Sequence, residues 1–119
     1  MKNHDVLPYL DDICMQSENI ANALKRMTYQ EYLTDPLYNG AIIRFIEVIG
    51  EAVKHIPDEI RNKYPDIAWR NIAGMRDKLI HGYSEVNLNY VWQVANELVP
   101  QLHENVRVMI AELESAETK

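Results

Sequence analysis

Cysteine occurs once in the 119 residues, at Cys14, so no disulfide can form within the chain. Its neighbours predict a buried, reduced thiol instead. No CxxC pair and no phosphate-cradling glycine loop is present, which removes two familiar routes to redox and nucleotide chemistry. No apolar run approaches the roughly 18 residues of a membrane span. The opening Met1-Lys2-Asn3-His4-Asp5 is too polar for a signal peptide. The expected location is therefore cytoplasmic, with no membrane partner. The four histidines, His4, His55, His81 and His103, show no metal-ligand spacing, and no metal or other cofactor is expected. Sustained polar–apolar alternation is missing too, so the β-branched residues belong to helices and no strand is expected.

What remains is an ordinary globular composition, 47% hydrophobic and 25% charged. One helical domain over 1–119 follows, with a tail from 114 to 119 expected to fray. The net charge of −6 argues against a protein that coats itself in nucleic acid, and against DNA as partner. The charge is uneven, however. Between Arg61 and His81 five bases (Arg61, Lys63, Arg70, Arg76, Lys78) face two acids (Asp66, Asp77), a local +3 in an otherwise acidic chain. Such a patch suits a small anionic target or a transient encounter; a solvated helix face would look the same.

Start and stop signals divide the chain into four main helices. The first is expected to open on Asp5 as N-cap, with Pro8 in its first turn and a core stripe of Leu7, Leu10, Cys14, Ser17, Ala21, Leu24 and Met27. Thr28-Tyr29-Gln30-Glu31 has capping-box form and predicts a short extra turn. Asp35-Pro36 opens the second main helix, which buries Ile42, Phe45 or Ile46, Ile49, Val53 and Ile56 and stops at Pro57. Its outer side carries Arg44, Glu47, Glu51 and Lys54, spaced to pair along the helix. Gly50 in mid-helix costs about 1 kcal/mol relative to alanine, a cost best tolerated where another backbone comes close. Gly74 poses the same question.

A turn at Asp58-Glu59-Ile60-Arg61 leads to the third main helix, expected from after Asp66 to about His81 with Gly82 just beyond its end. Its apolar residues form two rows, Ala68, Ile72, Met75, Leu79 and Trp69, Ala73, Ile80. Trp69 and Trp92 fit core or interface positions. Arg76 falls with the second row, so its guanidinium is partly buried and needs an anion: a side chain, a substrate phosphate or a partner's carboxylate. Asn87 or Asn89 caps the last helix, whose core face is Val91, Ala95, Leu98, Leu102, Val106, Met109 and Leu113, with a kink at Pro100. A further row, Trp92, Val99 and Ile110, leaves surface for self-association. The fold expected is an all-α antiparallel four-helix bundle with one or two short extra helices.

Arg76-Asp77-Lys78-Leu79-Ile80-His81-Gly82-Tyr83 gathers the chemistry. Arginine grips a phosphate with two parallel hydrogen bonds, and histidine moves protons near neutral pH. Together they form a minimal kit for cutting RNA without a metal. On an unbroken helix the two stand about 140° apart, so either His81 swings free at the helix end or a second copy completes the site. A histidine at a helix C-terminus also simply complements the dipole. Glu51 and His55, at i and i+4, read as a surface contact. Tyr83 packs beside a helix end or offers a hydroxyl for modification.

These residues carry a resemblance. Arg76-x4-His81-x-Tyr83, the stretch Ile67 to Arg76 and Ile49-Gly50-Glu51-Ala52, in that chain context, make the sequence similar to the HepT-like branch of the HEPN superfamily from about Asp5 to Leu113. The resemblance implies a helical homodimer whose composite cleft unites both Arg76–His81 pairs, with Arg70, Asp77 and Lys78 supporting or contacting RNA. It implies a metal-independent endoribonuclease toxin silenced by a MntA-type nucleotidyltransferase antitoxin, which transfers AMP from ATP to Tyr83. The rival implication is a non-catalytic HEPN-like module that only binds such a partner. Two departures, Asp77 where asparagine is common and Ser84-Glu85-Val86-Asn87 where an aromatic-containing run is common, bear on substrate choice.

Overall fold

The computed structural model describes residues 3–81 and 86–117, with side chains for 5–79 and 86–116. Every regular element among them is helical: α1 (Asn3–Leu24), α2 (Tyr29–Thr34), α3 (Pro36–Lys54), α4 (Asp58–Arg61), α5 (Trp69–His81), α6 (Leu88–Gln93) and α7 (Val99–Glu117). A π-helical segment, Val94–Leu98, joins α6 to α7 without a break. The expected all-α bundle is what forms, with α1, α3, α5 and the α6–π–α7 rod as its four staves and α2 and α4 as the short extras. The assembly measures 51 × 28 × 20 Å.

The caps follow local chemistry. Thr28 accepts from the Glu31 N–H at 3.1 Å while Glu31 accepts from the Thr28 N–H at 2.9 Å, the reciprocal bonds of a capping box. Asp35 serves two helices. Its N–H closes α2 on the Glu31 carbonyl, and its carboxylate accepts from Leu37 N–H at 2.9 Å to open α3 over Pro36. Asn87, rather than Asn89, caps α6 through Tyr90 N–H.

α1 packs against both α3 and α7, and α3 also receives α5. Several sequence expectations shift under that packing. α1 begins at Asn3, not at an Asp5 cap. Its buried face is Val6, Leu10, Ile13, Ser17 and Ile20, while Leu7, Cys14, Leu24 and Met27 sit at the edge and Ala21 is exposed. Two rows share helical spacing here, and the bulkier β-branched one fills the gap between two neighbours. Ser17 satisfies its hydroxyl on the Ile13 carbonyl at 2.7 Å. Half-burial, with the Glu18 and Asp11 carboxylates nearby, pushes the Cys14 thiol up from its ordinary pKa.

In α3 Ile42, Ile46, Ile49, Val53 and the following Ile56 are buried as expected. Arg61 is half-buried and tied down rather than free in a basic patch; it donates to the Val53 and Ile56 carbonyls, both at 2.8 Å, and so caps the C-terminus of α3. α5 starts at Trp69, later than expected, because Trp69 is pinned by its N–H to the Ile67 carbonyl and by its indole N–H to the Tyr64 carbonyl. The Gly82 position lies outside the described residues.

Pro100 disturbs the last helix through the π segment immediately before it. The Val99 N–H reaches back to Val94, and the core row runs Val91, Ala95, Val99, Leu102, Val106, Met109, Leu113. The wider turn takes in one surplus residue, which is why Val99 is buried where Leu98 was expected. Val99 and Trp92 are therefore consumed within the chain, and the row proposed for self-association is not a free surface. Trp92 packs on Tyr32 and Tyr29, with ring centroids 4.7 and 5.2 Å away. α7 stays helical to Glu117, past the Glu114 where fraying was expected. Buried Leu113 and the Tyr64 hydroxyl, which donates to Glu112 at 2.6 Å, anchor this end.

Tyr32 fastens α2 to the start of α6: its ring is fully buried and its hydroxyl donates to the Leu88 carbonyl at 2.8 Å. Tyr32→Phe should cost about 1–1.5 kcal/mol by stranding that carbonyl. Burial raises the Tyr32 pKa from 10.0 to about 12. The neutral phenol is thus favoured by folding, and its contribution is present below pH 10 and lost as pH rises toward 12. Thermal melts should show the wild-type advantage over Tyr32→Phe shrinking across that window.

Candidate active site

Gly50 decides where α5 lies. A Cβ built on it would meet Arg76 Cβ at 2.2 Å, Cγ at 2.7 Å and Cα at 3.4 Å. The missing side chain is the notch into which the Arg76 stem fits, so mid-helix Gly50 answers to a close approach as the sequence suggested. Gly74 does not: among the described residues nothing lies within 4 Å of its would-be Cβ, and it is exposed.

Seated in the notch, the Arg76 side chain keeps only 22% exposure. Its anion is a side chain of the same chain. Nη2 pairs with Glu51 Oε2 at 2.7 Å, and Nη1 lies 3.3 Å from Asp77 Oδ1. Lys54 Nζ donates to the same Asp77 oxygen. Lys54 first, and Arg76 after it, hold the Asp77 carboxyl below the usual carboxylate range. Glu51 and Lys54 therefore pair across to α5, whereas only Arg44 and Glu47, at 3.4 Å, pair along α3 as expected. Arg76 Nε is shielded from solvent and has no acceptor among the described residues, so the guanidinium cannot rotate to present that edge. An incoming anion would share Nη1 and Nη2 with the Asp77 and Glu51 carboxylates.

The remaining candidates divide by helical phase. Arg70, Gly74 and Lys78 recur at four-residue spacing on an exposed face of α5, away from the Gly50 notch. α5 remains helical through His81, a position about 140° around the helix from Arg76. The His81 side chain and all of Tyr83 lie outside the described residues. Arg76 and Asp77 are thus brought together, with Lys78 and Arg70 on a neighbouring face. Sequence reasoning missed Glu51 and Lys54 as Arg76's surroundings. The signal available was Gly50, which marked the crossing point beside them.

One sequence model decides the family: "Ribonuclease HepT-like" matches residues 13–109. The chain belongs to the HepT-like ribonuclease family. Its relatives include "Putative RNase MJ0125" of Methanocaldococcus jannaschii, 42% identical over 96% of this chain and 98% of the relative. "Probable ribonuclease HepT" of Thermococcus cleftensis is 39% identical over 79% of this chain and 86% of the relative. No solved structure matches the chain. This HepT-like chain contains, among its described residues, no helix long and apolar enough to cross a membrane.

Proposed function

We propose that the chain is a metal-independent endoribonuclease toxin that works as a homodimer, with Arg76 and His81 as its catalytic residues. The observation that carries this reading is the Arg76 guanidinium, seated on Gly50, braced by Glu51 and still 22% exposed, in a chain of a ribonuclease family. A braced guanidinium stabilises the charge that builds on the phosphoryl oxygens as the 2′-hydroxyl attacks phosphorus. His81 gives a proton to the departing 5′-oxygen, and the products are a 2′,3′-cyclic phosphate and a 5′-hydroxyl. Since positions 76 and 81 stand about 140° apart around α5, a second copy apposed through the Gly74 face supports a composite site. Arg70 and Lys78, on that face, would follow the RNA backbone, and Asp77 tunes the approach of its phosphate.

Control is proposed to come from a cognate MntA-type nucleotidyltransferase that adds AMP to Tyr83. The added phosphate would occupy the anion site and repel RNA. The test has two arms. The purified chain should cleave single-stranded RNA in excess chelator and leave cyclic-phosphate ends. Co-expression with a MntA-type nucleotidyltransferase should raise its intact mass by AMP units, with cleavage lost. RNA left whole under all conditions would sink the nuclease reading. A second reading, a non-catalytic module binding a nucleotidyltransferase, draws on the Arg76–Glu51 pair as a purely structural contact.

A further inference from the structure

Within one protomer position 81 stands about 140° around α5 from Arg76, but an imidazole is already coupled to the guanidinium. Glu51 is bridged: Oε2 holds Arg76 Nη2 at 2.7 Å, and Oε1 faces His55 Nε2 at 3.4 Å. His55 is the C-cap residue of α3, and its ring lies parallel to that of Tyr9 on α1, with centroids 4.6 Å apart and planes 5° apart. The stack fixes the plane of the imidazole and Glu51 Oε1 stands beside Nε2, which leaves Nδ1 as the ring nitrogen turned from the carboxylate. The side chain is 48% exposed and open to a ligand. Around it stand Tyr9 from α1, Glu51 on α3 and, across on α5, Arg76 with the Lys54–Asp77 pair beside it.

We propose that His55 is a catalytic residue of this site, the general base for RNA cleavage, with Glu51 as its positioning residue. The inference rests on the ribonuclease reading above. His55 Nδ1 takes the proton of the 2′-hydroxyl as O2′ forms its bond to phosphorus. The P–O5′ bond breaks, and the 5′-oxygen receives a proton from His81. Glu51 stabilises the imidazolium formed at His55 while holding Arg76 against the phosphoryl oxygens, so one carboxylate sets both groups. Carboxylate, imidazole and guanidinium thus sit together at the α3–α5 crossing.

Two substitutions separate chemistry from packing. His55→Phe keeps a flat ring against Tyr9 but cannot accept a proton; His55→Ala removes both. With the full-length chain and a defined single-stranded RNA, both variants should lower kcat on the order of 100-fold with little change in KM. The acidic limb of the kcat/KM–pH profile should disappear in both, and added imidazole should restore part of the activity of His55→Ala. If His55→Phe cuts as fast as wild type, the ring only packs and the proposal is overturned while the nuclease reading stands. A wild-type chain that cuts no RNA overturns both.

Discussion

Arg76→Ala should leave a chain that folds and cuts RNA about 100- to 1000-fold more slowly, the usual loss when one preorganised charge-stabilising group is removed. The folded state has little reason to collapse. The Glu51 carboxylate is half exposed and can return to water, and partly exposed ion pairs are worth about 0–1 kcal/mol. The substitution even removes the shielded Nε that lacks an acceptor among the described residues. Melting of the variant should therefore fall by only a few degrees. Arg76→Lys should not rescue cleavage, because a single ammonium cannot present two parallel donors to a phosphate. His81→Ala should match Arg76→Ala in rate and relieve growth arrest on expression. If Arg76→Ala instead unfolds, the arginine is a structural element and the binding-module reading gains.

Gly50→Ala should destabilise the protein, although glycine to alanine in mid-helix ordinarily stabilises by about 1 kcal/mol. The new methyl would stand 2.2 Å from Arg76 Cβ and 3.4 Å from its Cα, stem and backbone atoms that cannot rotate away. α5 must lift off α3, and overpacking of that kind costs about 1–3 kcal/mol. The clash outweighs the propensity gain. A net loss of up to about 2 kcal/mol, or up to roughly 10 °C in Tm, is expected, together with a fall in cleavage as Arg76 leaves Glu51. The same change at Gly74 has no neighbour to strike among the described residues and should raise Tm. If Gly74 faces a second copy, that gain should come with dissociation, read by size-exclusion chromatography. A Gly50→Ala chain as stable as wild type would show that the crossing is loose.

How far the sequence could be read tracks the range of the interaction. Thr28, Asp35-Pro36, Pro57 and Asn87 were legible because a cap is settled by residues three or four positions apart. The α1 face was not. Leu7-Leu10-Cys14 and Val6-Leu10-Ile13 have equal spacing, and only the gap between α3 and α7 chooses between them. Arg61 read as surface charge because nothing local says that α3 ends with open carbonyls within its reach. At the site, helical phase foretold a half-buried Arg76 and Gly50 foretold a close crossing. The identity of the anion depended on the register between two helices. That register put Glu51, written off as a surface neighbour of His55, against the guanidinium.

The π turn at Val94–Leu98 also limits how the chain can change its length. Ahead of it the rod shows Val91 to the core, within it Val94 and Ala95, and behind it Val99 to Leu113, two phases reconciled by a single wide turn. Deleting one residue inside that turn could be absorbed by tightening it to ordinary pitch. Losing or gaining one farther along would spin the remaining stretch by about 100° and carry Val106 and Met109 from the interior to the outside. Tolerance for length variation in the final third of the molecule is thereby gathered into five positions.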